Sequence, residues 1–157
     1  MSKKVISVLA GLIVLVASGI YYYNYSSKQD LIIAYIDESD RVTSDYVSLM
    51  IEEAMIEDYE ELYTYTEEET LPKLNQLMGQ LERISEEYDH AKILEVHEIL
   101  IDSFNKAIEG NQLWLAEDFI QSDRLFVKSE ELYIQYEDDL EKLANKWNVE
   151  IIWEESE

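Results

Sequence analysis

Cysteine is absent from this chain, proline occurs once, histidine twice and glycine four times. Without cysteine there is no disulfide framework, no thiolate nucleophile or zinc thiolate, and no lipid-modified N-terminal cysteine. Basic residues are also scarce, 12 against 35 acidic, for a net charge of -23. No basic stripe exists to follow a phosphate backbone, which excludes DNA and RNA as partners. Such a body repels itself and anionic surfaces and attracts cationic ones, so a protein partner, if charged, is expected to be basic.

What the chain does have is apolar material. It is 47% hydrophobic and 11% aromatic, with 12 tyrosines, enough to bury the core of one domain. Its longest apolar run, Val5 to Ile20, follows Lys3 and Lys4 and leads into Tyr21, Tyr22, Tyr23 and Tyr25. At about 1.5 Å per residue, 5–23 is about 28 Å long as a helix, close to the hydrocarbon thickness of a bilayer. The tyrosines fall where an interfacial belt belongs. A cleavable signal peptide also fits two lysines, a short apolar stretch and the small residues Ala17, Ser18 and Gly19. Cleavage would strand the tyrosines at a new N-terminus, so the run reads as an uncleaved anchor, residues 1–25. Positive residues stay cytoplasmic, which places everything after it outside the cytoplasm of a single-pass membrane protein.

Residues 26–148 read as an acidic all-α domain. With Gly79, Gly110 and Pro72 as their only strong breakers, they call for long helices. From Leu115 through Phe119, Ser122, Phe126, Ser129, Tyr133, Tyr136, Leu140 and Leu143 to Trp147, spacings of four and three alternate without a break, the 3.5-residue repeat of a supercoiled seam. Ser122 and Ser129 are small gaps in it that admit a close neighbour. A second seam runs from Leu74 to Tyr88 and Ala91, slips in phase, and resumes through Leu94, His97, Ile101, Phe104 and Ile108. A third follows Ile32, Ile36, Ser39, Thr43, Tyr46 and Met50, then Ile51, Met55, Tyr59 and Leu62, although the polar stretch Asp37 to Asp45 also suits a loop.

Punctuation sets the expected boundaries. Ser27 to Asp30 resembles a capping box, Glu67 to Glu69 a solvated turn, Thr70 an N-cap ahead of Pro72, and Gly110-Asn111 a C-terminal glycine followed by a new cap. The helices are therefore predicted at 29–65, 71–109 and 112–147, an elongated antiparallel three-helix bundle. One uninterrupted helix over 71–147, dimerising as a coiled coil, is the rival, so oligomeric state stays open. Gly79, unfavourable in a helix by about 1 kcal/mol, suggests a close contact. Residues 149–157 form a short extended tail, in which Ile151, Ile152 and Trp153 are the candidate partner contact.

Chemistry is thinly supplied. Glu87 to His90 gives one Glu-x-x-His step of the kind used in di-iron bundles, but Leu94 stands where His97 would need its glutamate. His97 reads as a core-edge histidine instead. Asp37, Glu38, Ser39, Asp40 and Asp45 lack the glycine and terminal glutamate of an EF-hand loop, and Glu137, Asp138, Asp139 and Glu141 form a solvated face. No phosphate loop, nucleophile elbow or zinc spacing occurs. The expectation is no enzyme, no metal and no cofactor. The expected function is that of a membrane-anchored extracytoplasmic helical interaction or scaffold protein that binds another envelope protein. The alternatives are a sensor-like module for a cation or cationic peptide, or a secreted helical protein after signal cleavage.

Overall fold

The computed structural model describes residues 3–152, with side chains described from Ser27 onward. Four helices account for nearly all of it. Helix α1 is Lys3–Ala54, unbroken over 52 residues. Helix α2 runs over 59–87 and comprises Tyr59–Tyr65, a π turn at Thr66–Thr70, and Leu71–Glu87. Helix α3 is Ala91–Leu115 and α4 is Phe119–Lys146. No strand occurs among the described residues.

The chain is thus all-helical as the periodicity demands, but with four helices rather than three. The extra break falls at Tyr88-Asp89-His90, where the second seam slips phase. Tyr88 turns extended and stays buried, and the His90 ring accepts the Lys92 backbone N–H at 3.2 Å as the cap of α3. That break and the one at 116–118 also dispose of a single helix over 71–147.

Other boundaries move for local reasons. Ser27 begins nothing, because α1 already runs through it, and Asp37 to Asp45 lies within that helix. The first turn is 55–58, ended by the Asp58 carboxylate capping Glu61 N–H at 3.0 Å. Ile51, Met55 and Tyr59 therefore sit at an exposed end rather than on a seam. Glu67 to Glu69 belong to the π turn, and Thr70 is helical, its hydroxyl given to Glu53 rather than to a cap. Pro72 explains the π turn. A proline inside a helix cannot donate to the preceding turn and crowds its carbonyl, and one wide turn immediately before it gives the ring room. The Leu71 N–H reaches back five residues to the Thr66 carbonyl.

Gly110 and Asn111 are buried inside α3, not at a turn. The helix ends at Leu115 in a Schellman motif with Glu117 in the left-handed region (φ 61°). Its N–H bonds the Trp114 carbonyl and that of Asp118 the Leu113 carbonyl. The Asp118 side chain then caps α4 through Gln121 N–H. Helix α4 ends the same way, with Asn148 at φ 54° and the Val149 N–H on the Ala144 carbonyl at 2.9 Å.

The helices run alternately up and down. At one end Gln29 donates to the Asn148 carbonyl at 3.2 Å, the Lys28 ammonium lies 5.9 Å from the Trp147 ring, and Trp147 packs edge-on against His90. At the other, about 40 Å along α1, the turns 55–58 and 116–118 come together. Between them Ile32, Tyr35, Val42, Leu77, Leu81, Ile93, Leu100, Phe104, Tyr136 and Leu140 form one buried core.

The most intimate pairing is α3 with α4, and it is made by small residues. The Ser103 hydroxyl donates to the Ser129 carbonyl and the Ser129 hydroxyl to the Ser103 carbonyl, each at 2.9 Å, while Ser122 donates to the Gly110 carbonyl. A Cβ on Gly110 would stand 2.8 Å from the Phe126 ring, whereas one on Gly79 would meet nothing within 4 Å. The serine gaps do admit a close neighbour. The tight glycine is Gly110, and Gly79 makes no close contact.

Among the described residues no helix is long and apolar enough to cross a membrane. The expected membrane-crossing segment, 5–23, precedes the first described side chain and lies outside that statement.

Candidate functional site

Three features stand out from a surface of ordinary solvated charge: a buried polar chain through the core, a groove holding the tail, and an aromatic patch at the end remote from Ser27.

The buried chain crosses all four helices. His97 is 1% exposed, so it is a core histidine and not one at the core's edge. Its Nε2 lies 2.8 Å from the Leu81 carbonyl of α2, and its Nδ1 3.1 Å from the Tyr35 hydroxyl of α1. A carbonyl only accepts, so Nε2 carries the proton and Tyr35 donates to Nδ1. The ring is neutral and fully paired. Ser39 donates to the Tyr35 carbonyl at 2.9 Å, and Tyr136 of α4 donates to the Ser39 hydroxyl at 3.0 Å. Burial pushes His97 below the usual imidazole range and Tyr35 well above the usual phenol range; it lifts Tyr136 to about 12. The arrangement specifies how the helices fit together and leaves no face open to a substrate.

The tail Val149–Ile152 folds back beside a groove between α1 and α4. Ile33, Ile36, Val47, Tyr133 and Glu137 line it, with a volume of about 760 Å³. Val149 and Ile151 are half-buried against the core, while Ile152 is 85% exposed. Trp153 lies outside the described residues. Of the expected contact trio, then, Ile151 is engaged within the chain and Ile152 is presented. In the same groove Glu137 is partly desolvated, and this, with the Asp138 charge beside it, raises its carboxyl above the ordinary value.

At the remote end, rings from three helices converge. Trp114 of α3 is 5.7 Å from Tyr59 and 5.9 Å from Tyr63 of α2, and 6.4 Å from Phe119 of α4, centroid to centroid. Around them Met55 is 75% exposed and Ile120 70%. Beneath the patch Met50, Ile56, Leu62, Trp114 and Phe126, with Glu53, line a cavity of about 350 Å³. Two hydroxyls at the ends of the π turn bind that glutamate: Thr66 at 2.6 Å and Thr70 at 3.0 Å both donate to its Oε1. Acids predominate in the segments that form the patch, with Arg124 the first cation beyond it on α4. Residues 42–72 contain ten acidic residues and no basic one; residues 107–123 contain four and none. Both breaks in the basic residues bracket the same end of the bundle. Heptad spacing puts Met55 and Tyr59 on a seam and so hides this site; the coincidence of basic-free stretches with Tyr59, Trp114 and Phe119 is the signal the sequence holds for it.

The remaining candidates are structural. Glu87 ends α2 and His90 caps α3, so their Glu-x-x-His step is spent on a turn. Asp45 pairs with Lys73 and Asp139 with Lys142, both on the surface. Among the described residues no three His, Asp or Glu side chains are grouped to hold a metal ion. No family model, curated protein or solved structure matches this chain.

Proposed function

We propose that this protein is a membrane-anchored interaction or scaffold module whose acidic bundle stands on the outer side of the bilayer and contacts another envelope protein. The observation that carries this reading is the continuity of α1. The helix that contains the apolar run Val5 to Ile20 is the same helix that supplies Ile32, Tyr35, Val42 and Leu49 to the core. A domain joined to its anchor by a flexible linker is merely tethered; one that shares a helix with it is held at a fixed height and heading. Fixed presentation suits a protein that positions a partner. The orientation follows from Lys3 and Lys4 on the cytoplasmic side.

The test uses the full chain, tagged at its C-terminus and expressed in bacterial cells. The expected result is retention in the membrane through an alkaline wash, cleavage of the acidic body by protease added to intact spheroplasts, and a mature mass that begins at the natural N-terminus. Protection of the body from that protease defeats the reading. A mass that begins after Gly19 makes the protein a secreted one instead.

A further inference from the structure

We infer that the aromatic patch at the end of the bundle remote from Ser27 is a docking site for a cationic amphipathic segment of another protein, with one lysine or arginine of that segment entering the cavity beneath Trp114. The inference deepens the reading of the bundle as an interaction module and rests on that reading, though not on the anchor.

Three observations decide the occupant. The patch is apolar and aromatic where exposed, with Tyr59 and Phe119 packed on Trp114 and the exposed Met55 and Ile120 next to them in the chain. Aromatic and methionine side chains on a free surface are the residues that dominate binding energy, and a patch of this kind seeks an apolar counterpart. The surrounding chain carries fourteen acidic residues and no basic one across 42–72 and 107–123, against Arg124 one turn beyond Ile120, so the net field at this end is negative. That field repels a second copy of this chain, an anionic lipid surface and nucleic acid, and it draws in a basic segment.

The cavity then specifies how such a segment is held. Its walls, Met50, Leu62 and Phe126 among them, suit the aliphatic stem of a long basic side chain. The carboxylate of Glu53 lines it, and that group is fixed in place by two threonine hydroxyls on Oε1, which leaves Oε2 to receive the cation. The Trp114 ring in the cavity wall, against which Tyr59 and Tyr63 pack, adds attraction for a guanidinium or ammonium group. Thr66 and Thr70 stand four residues apart, on one face of α2, and so reach the same carboxylate oxygen.

The test measures anisotropy of a fluorescent synthetic helix of about 18 residues, leucine on one face and lysine on the other. The full chain is held in discs of zwitterionic phosphatidylcholine, and empty discs are subtracted. The expected result is saturable binding that weakens about tenfold in Glu53→Gln and about tenfold in the exposed double variant Met55→Ser with Tyr59→Ala. Glu141→Gln, remote on α4, leaves it unchanged. The double variant lies on the surface and keeps the test valid if Glu53→Gln perturbs folding. Equal binding of polylysine, equal weakening by Glu141→Gln, unchanged binding in both patch variants, or no binding at all overturns the assignment. So does a sedimentation experiment in which the chain dimerises through the patch and Tyr59→Ala abolishes the dimer. Loss of the peptide result with the body still exposed on spheroplasts defeats the docking site alone; release of the body defeats the anchoring alone.

Discussion

The Tyr35 hydroxyl donates to Nδ1 of His97 at 3.1 Å in the centre of the bundle, while Nε2 of the same ring donates to the Leu81 carbonyl at 2.8 Å. This one imidazole joins α1, α2 and α3 and is neutral by construction. Replacing it with phenylalanine keeps the ring and strands the Tyr35 hydroxyl without an acceptor. The expected cost is about 2–4 kcal/mol in urea denaturation, larger than for Tyr35→Phe, which removes the donor and leaves Nδ1 alone.

The same ring gives stability a pH dependence of known sign. Burial lowers the folded-state pKa of His97 below its unfolded value of about 6.5, so the unfolded chain binds the proton more readily. The contribution is fully present above about pH 6.5 and is lost as pH falls toward the folded pKa. The 35 acidic residues act in the opposite sense, since acid relieves their mutual repulsion. Comparison with His97→Gln separates the two: between pH 7 and 5 the parent chain is expected to lose melting temperature relative to the variant. Parallel curves reject a buried neutral His97.

The two glycines of the bundle respond oppositely to alanine. Gly79→Ala places its methyl in open space and removes a helix-weakening residue, for a gain of up to about 1 kcal/mol. Gly110→Ala has the same local benefit but drives a methyl to 2.8 Å from the Phe126 ring, and the net expectation is a loss of about 1 kcal/mol. Thermal melts of the two variants side by side decide it.

Glu117 occupies a left-handed position that disfavours any residue with a Cβ. Glu117→Gly is expected to stabilise by about 0.5–1 kcal/mol, because relief of strain there outweighs the freedom glycine adds to the unfolded chain. A lowered melting temperature contradicts the Schellman assignment at this turn.

Neighbouring tail residues should differ sharply. Ile151 is half-buried against the core and Ile152 is nearly free of it. Ile151→Ala is expected to cost about 1–2 kcal/mol in denaturant melts and Ile152→Ala to fall within about 0.5 kcal/mol of the parent. Equal effects mean the tail does not pack as described.

The helical class and the seams were legible in the residues. Ser39, Thr43 and Tyr136, polar members of regular 3.5-residue stripes, are indeed turned inward. The helix ends were read less well, because this chain marks them with ordinary residues. Asp58 and Asp118 cap through carboxylates that look, in so acidic a sequence, like any other charge, and Glu117 does work usually left to glycine. Conversely Gly110 and Pro72, the residues that most resemble punctuation, lie inside helices for reasons of packing and of a π turn that sequence spacing does not reveal. The phase slip after Ala91 was the one trace of the missing turn. The end patch is not legible in the sequence because it is assembled from 55–63 and 114–120, which only the fold makes adjacent.

A shaft with no joint in it behaves like a screw. Because α1 is uninterrupted from Lys3 to Ala54, each alanine inserted near Ser26 would swing the bundle by about 100° about its long axis and lift it by about 1.5 Å. Two insertions point Trp114 roughly the opposite way, and a full turn's worth of about four restores its bearing. The bearing of the bundle relative to the N-terminal end of α1 is thus written in the count of residues between Ile20 and Ile32.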